Sequence, residues 1–267
     1  MSLRMKSPIL IQGAHFPELE WIVESLSDAT KVVVSGFTFW TGNMQANNQK
    51  EIPLVVNQSG IEFANAAASL AIAISTFHPI AVINQGIAGG HTAEVQLGDI
   101  IVGEYCVNLN TFKTPYRAAG HGSNSLEWKP KKCRGHGGGH EPISNDETSY
   151  IEGRKLIADC ILLQACKEVS ARNDRNQRVY FGGVGSCETW NSEVDRINML
   201  HYTFGTLCEE MEAAASAQIT QLLHVPFISI RIISNNILND IEYELSVAEQ
   251  CQRFVLRVIE VYAKRFE

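Results

Sequence analysis

The chain has little of what marks a secreted, membrane-spanning or nucleic-acid-binding protein. Its seven cysteines (Cys106, Cys133, Cys160, Cys166, Cys187, Cys208, Cys251) are odd in number and scattered, several of them inside apolar patterns. That argues against a disulfide framework and fits reduced, buried thiols. No apolar run approaches the roughly 20 residues of a membrane-spanning helix. Met1 to Lys6 carries two basic residues but neither a long apolar stretch nor a small-residue cleavage site. Positive charge is in deficit, 22 Lys and Arg against 29 Asp and Glu for a net charge of -7, which argues against nucleic acid or an anionic membrane as the main partner. A cytoplasmic protein acting on small molecules or other proteins is expected.

Several signatures are also missing. There is no Walker loop, no Gly-x-Gly-x-x-Gly after the first strand and no Gly-x-Ser-x-Gly elbow, which disfavours a kinase, a dinucleotide enzyme and an α/β-hydrolase. No repeat or linker interrupts the 267 residues, so a single domain over 1–267 is expected.

What is there reads as strands alternating with helices. Pro8 to Gln12, Lys31 to Gly36, Ile52 to Asn57, Ile80 to Asn84, Gly98 to Val102, Val179 to Gly183 and Phe227 to Ile233 are strand-like. Glu18 to Leu26, Ile61 to Phe77 and Val247 to Phe266 read as helices. Continuously apolar strands indicate a mostly parallel sheet covered on both faces, in which ligands bind at the carboxyl ends of strands. Glu18, the Gly86 to Gly90 turn, Trp190 and Ser234-Asn235 all fall just past strand ends. Cys208 to Ala217 reads as an alanine-rich helix headed by acids, with Met211 and Glu212 in its first turn. The positive end of that helix should lower the pKa of Glu212 and keep it charged.

The polar stretch 108–150 breaks the pattern and reads as an irregular insertion. Its Cys133, His136 and His140 invite a zinc reading, but their spacing is irregular and no fourth ligand is evident, so no metal is expected.

The pieces Ile11-Gln12-Gly13-Ala14 with Glu18, Ser59-Gly60-Ile61, Asn84 to Gly90, Leu97-Gly98-Asp99-Ile100, Glu210-Met211-Glu212-Ala213 and Arg231-Ile232-Ile233-Ser234 occur in one order along the chain. In that order they resemble the nucleoside phosphorylase and nucleosidase superfamily, most of all its 5′-methylthioadenosine/S-adenosylhomocysteine nucleosidase branch. The resemblance implies a three-layer αβα sandwich around a central twisted mixed sheet, a homodimer or higher homo-oligomer, and hydrolysis of a purine nucleoside without cofactor. It implies that Glu18 activates water, that Met211 and Glu212 hold ribose, that Trp190 packs on the base, and that Ser234 and Asn235 stand where an acid would serve N7. Ile87, Ala88 and Gly89 would line the substrate site, with Ile87 where relatives often carry a small hydroxyl residue.

The chemistry asks for these residue types in its own right. Cleaving an N-glycosidic bond places positive charge on the sugar and negative charge on the base, so it calls for a carboxylate at the first and a donor at the second. A further carboxylate deprotonates water. Neither His15-Phe16-Pro17-Glu18 nor Val82-Ile83-Asn84 holds an arginine to clamp phosphate, which favours hydrolysis over phosphorolysis. Asn235 can hydrogen-bond a purine but cannot deliver a proton, which points to 6-oxopurine nucleosides as in futalosine-hydrolase-like relatives. The competing readings are a phosphate-dependent phosphorylase and a non-catalytic nucleoside-binding protein. His15 is read as a lining or a turn residue, and Arg231 as the partner of a neighbouring carboxylate.

Overall fold

The computed structural model describes residues 7–47, 49–131, 155–172 and 177–266. The zinc reading of Cys133, His136 and His140 therefore falls outside the described residues. The strands are β1 (Ile9–Gly13), β2 (Leu26–Val34), β3 (Phe37–Gln45), β4 (Glu51–Gln58), β5 (Ala81–Gly90), β6 (Ile100–Asn108), β7 (Phe112–Lys113), β8 (Lys129–Pro130), β9 (Leu156–Ile157), β10 (Val179–Ser186), β11 (Thr206–Glu210) and β12 (Phe227–Asn235). The helices are α1 (Glu20–Glu24), α2 (Phe63–Phe77), α3 (Cys160–Ala171), α4 (Val194–Phe204), α5 (Ala213–Leu222) and α6 (Ala248–Ala263).

The large sheet runs β11-β10-β6-β12-β5-β1-β4-β3-β2, with β9 attached to β6. It is mixed rather than mostly parallel. β1, β4, β5 and β12 pair in parallel, whereas β12 meets β6, and β3 meets both neighbours, antiparallel. β11 also pairs with β5, which closes β5, β12, β6, β10 and β11 into a five-stranded barrel.

Strand β3 is not among the strands expected from sequence. Ser35 (φ 50°) and Gly36 (φ 87°) form a two-residue turn with both φ positive, the turn that matches the twist of a hairpin. Ser-Gly between two apolar runs is the signal for it. Helix Glu18–Leu26 is likewise shorter than expected: Phe16–Glu18 form a tight 3-10 turn that contains Pro17, and Leu26 already belongs to β2, paired with Met44 of β3.

Successive residues of β1 point to opposite sides. Ile9 and Ile11 join a core built with α3 and α6, including Leu162, Phe254 and Val258. Leu10 joins one built with α2 and α5, including Leu70, Ala214 and Ala217. The small side chains of α5 let it lie close on the sheet, as their helix-forming preference and size require.

The glycines after Asn84 do not end their strand, as expected from sequence, but carry it on to Gly90. A Cβ on Gly86 would fall 2.3 Å from Glu18 Oε1 and 2.7 Å from Arg231 Nη1. The glycine is there to let a carboxylate and a guanidinium approach the sheet.

Candidate active site

Glu18 ends the turn after β1 and is 2% exposed. Its Oε2 accepts hydrogen bonds from the amides of Ala14 at 2.9 Å and His15 at 3.3 Å, and Oε1 accepts from Ile87 N at 2.9 Å. His15 Nδ1 lies 3.1 Å from Oε2. Burial alone pushes the carboxyl pKa up. The contact with His15, the charge of Arg231 and the Ile87 amide outweigh burial and hold it below its ordinary value. His15 in turn is raised, because its bond to Glu18 outweighs its own partial burial.

On the opposite wall the helix starts later than expected. Cys208 to Glu210 belong to β11, and helix α5 starts only at Ala213. The carboxylate that satisfies the helix N-terminus is Glu210, which accepts from Glu212 N at 3.0 Å and Ala213 N at 2.9 Å, while Ser186 Oγ accepts from Ala214 N at 2.8 Å. Glu210 also pairs with Arg231 at 2.7 Å, both being fully enclosed. Arg231 thus holds a neighbouring carboxylate, and its Nη2 donates to Asn84 Oδ1 as well.

Glu212, by contrast, receives one amide, that of Glu62 at 3.0 Å. Glu62 adopts φ 80° and ψ 163°, a region that side chains rarely enter, to aim that N–H. Burial, then the charge of Glu210, push Glu212 up to about 8, against some relief from Arg231. This reverses the expectation of a lowered pKa. The helix amides that would have stabilised the anion are occupied by Glu210 and Ser186.

Asn235 closes β12. Its Oδ1 accepts from Ser234 Oγ at 3.1 Å, and its Nδ2 lies over Gly89, where a Cβ would be 3.2 Å away. Trp190 is 63% exposed, with its ring 6.0 Å from that of Tyr243.

All of the residues singled out in the sequence, Glu18, Ile87, Ala88, Gly89, Trp190, Met211, Glu212, Ser234 and Asn235, line one cavity of about 200 Å³. His15, Ile61, Glu209, Asn191 and Tyr243 line it too. Glu209, Asn191, Tyr243 and the Glu62 amide are not among the residues that the sequence singles out. Glu209 is one of three acids in Glu209-Glu210-Met211-Glu212, and nothing in the sequence sets it apart from its neighbours; the Glu62 amide has no signal either. Among the described residues no group of three or more His, Cys, Asp or Glu is arranged to hold a metal ion. The lining includes four glutamates and one histidine, with no arginine or lysine among the described residues.

The chain is similar over most of its length to nucleosidases. It is 28% identical over 228 residues to the 5′-methylthioadenosine/S-adenosylhomocysteine nucleosidase of Anoxybacillus flavithermus, covering 85% of this chain and 84% of that protein. It is 26% identical over 232 residues to the enzyme of the same name from Geobacillus thermodenitrificans, covering 86% and 84%. In fold it matches the Neisseria meningitidis 5′-methylthioadenosine/S-adenosylhomocysteine nucleosidase in complex with methylthio-immucillin-A, with a TM-score of 0.73 at 23% identity over 95% of this chain and 99% of that one. The futalosine hydrolase of Helicobacter pylori matches with a TM-score of 0.72 at 19% identity, over 96% and 98%. The sequence pattern of the Phosphorylase superfamily fits residues 8–265, from the first strand to the end of the last helix, and the chain belongs to that superfamily.

Proposed function

We propose that the protein is a purine nucleosidase, an N-glycosyl hydrolase that splits the bond between a purine and its ribose with water. The observation that carries this reading is the convergence of an ionised Glu18, Glu212 and Asn235 on one cavity walled by Trp190. The C1′–N9 bond breaks with its electron pair going to the base. Water adds at C1′ and gives up a proton to Glu18, whose three amide donors and His15 fix it in the charged form. Met211 packs on the ribose and Glu212 accepts from its hydroxyls, the anion of Glu212 balancing the positive charge on the sugar.

Asn235 serves the base. With Oδ1 engaged by Ser234, the free group is Nδ2, a donor suited to N7 or O6 of a 6-oxopurine. It stabilises the departing base by a hydrogen bond and transfers no proton; the base anion takes its proton from solvent, to which Glu18 returns the one it accepted from water. A preference for hypoxanthine- or guanine-bearing nucleosides, with a 5′ modification tolerated at the exposed mouth near Ile61, follows from this reading. Water rather than phosphate is the nucleophile because the lining is acidic and Arg231, 1% exposed, is committed to Glu210.

The finer architecture belongs to the same proposal. The two cores, one with α1, α3 and α6 and one with α2 and α5, support a three-layer αβα arrangement. A single domain with an insertion at about 108–150 is supported by the separate two-stranded sheet of β7 and β8. The free cysteines, all but Cys160 buried among those described, support a cytoplasmic setting, and a homodimer is part of the reading.

The test is incubation with a panel of adenine and 6-oxopurine nucleosides, with and without phosphate, reading free base by chromatography. Base and free sugar should form at the same rate in both conditions. Release that depends on phosphate would assign a phosphorylase. Thermal stabilisation by nucleosides without any release would assign a binding protein.

A further inference from the structure

Glu209 also faces the cavity and takes no part in the scheme above. It stands on β11 beside the wall formed by Trp190 and Asn191. Its Oε2 accepts from Asn191 Nδ2 at 2.7 Å and lies 3.5 Å from Nε2 of His91. His91 is 2% exposed and held from behind by Thr206, with Nδ1 2.8 Å from Oγ1. Oε1 meets no hydrogen-bond donor among the described residues.

The sheet register gives this placement its meaning. Glu209 lies opposite Gly89 across the β11–β5 pair, and Asn235 lies opposite the same Gly89 across the β12–β5 pair. An amide, a glycine and a carboxyl group thus form a row over three adjacent strands, the outer two about 10 Å apart at the backbone. Gly89 leaves the space between them clear. All three line the cavity together with Trp190.

We propose that Glu209 is a base-specificity residue that accepts a hydrogen bond from N1–H of a 6-oxopurine, so that the cavity selects such bases over adenine. The inference rests on the nucleosidase reading for its substrate and deepens it. A purine lying on Trp190 with its N7/O6 edge at Asn235 turns its N1 edge toward β11. A carboxylate only accepts hydrogen bonds. A 6-oxopurine offers N1–H there, and a 2-amino group adds further donors. Adenine offers a lone pair at N1, which a carboxylate repels. Asn191 engages Oε2, with His91 Nε2 3.5 Å from the same oxygen, which leaves Oε1 as the acceptor for the ligand.

The test is calorimetric binding of free hypoxanthine and free adenine to the wild type, Glu209→Gln and Glu209→Ala. A carboxamide can donate to adenine N1 while losing the charge that favours N1–H. The wild type should bind hypoxanthine at least about tenfold tighter than adenine, and Glu209→Gln should shift that ratio toward adenine by about tenfold or more. Glu209→Ala should lose hypoxanthine affinity without a matching loss for adenine. The ratio is the readout because a loosened fold would weaken both bases alike. An unmoved ratio, or a wild type that prefers adenine, overturns the role of Glu209 and leaves the nucleosidase reading intact. If the ratio shifts as stated but no nucleoside is hydrolysed, the specificity assignment stands and the nucleosidase reading fails. If neither base binds the wild type, both fall.

Discussion

Glu18 and Glu212 face the same cavity, are both buried, and are held in opposite ways. Glu18 sits where the chain leaves β1, with three backbone amides and His15 directed at it. Its charge is supported at almost every lone pair. Glu212 sits two residues beyond Glu210 and receives a single amide. The nearest helix N-terminus is already taken by Glu210, whose charge adds to the cost of a second anion. The lesson is that burial by itself does not decide ionisation. The number of donors left for each carboxylate does. One carboxyl is held below its ordinary pKa, and the other is pushed up to about 8.

The most direct way to break this contrast is to remove the charged partner. Glu18→Gln should lower kcat/KM by about 10³-fold, since it deletes the base while keeping the shape. Steady-state kinetics with retained thermal stability would check this, and near-wild-type turnover would remove Glu18 from the mechanism.

Glu212→Gln should cost about 10²-fold in kcat/KM and should also change two pH profiles. In the wild type, kcat/KM is expected to rise with pH through about 8, where free Glu212 ionises. The folded state binds more protons than the unfolded state between the ordinary value of 4.5 and about 8, so this group makes stability fall as pH rises through that window. Glu212→Gln should flatten both trends, and melting temperatures across pH 5 to 9 would read the second. A wild-type profile already flat between pH 7 and 9 would mean that Glu212 is ionised like Glu18.

Gly86→Ala tests the packing behind the Glu18 wall. A Cβ there would overlap Glu18 Oε1, so the carboxylate must move by about 1 Å. The expected loss is about 10²-fold in kcat with KM little changed. A smaller perturbation is His15→Gln. It removes the main interaction that opposes the burial of Glu18, so the carboxyl pKa should rise and, in the Glu212→Gln background where the limb near 8 is absent, the acid limb of kcat/KM should move to higher pH. At pH 7 the loss should be a few-fold at most, read from the same pH series. An acid limb that stays in place would show that the backbone amides alone keep Glu18 charged.

Much of this site is legible in the amino-acid sequence. The β-branched and apolar runs mark the central strands, and the ordered pieces from Ile11 to Ser234 mark the superfamily. Arg231, a single charge inside Phe227–Asn235, can stand there only with a buried acid beside it, and Glu210 is that acid. Less is legible around β3, where a lone Ser-Gly pair is the whole signal for the hairpin turn. The same holds at Gly86 to Gly90, where glycine reads as a break until one sees what presses against it.

Composition and local pattern therefore determined the α/β class, the strand ends around the cavity, and Glu18 and Glu212 among its acids. Each of these depends on side-chain type and short-range spacing. Tertiary structure alone decided which acid caps helix α5, which of the two cavity carboxylates is charged, and that Glu209 and Asn235 flank one glycine. Those outcomes rest on distances between residues far apart in the chain, such as Glu62 to Glu212 and Ile87 to Glu18, and on how few donors remain once each buried group has been satisfied.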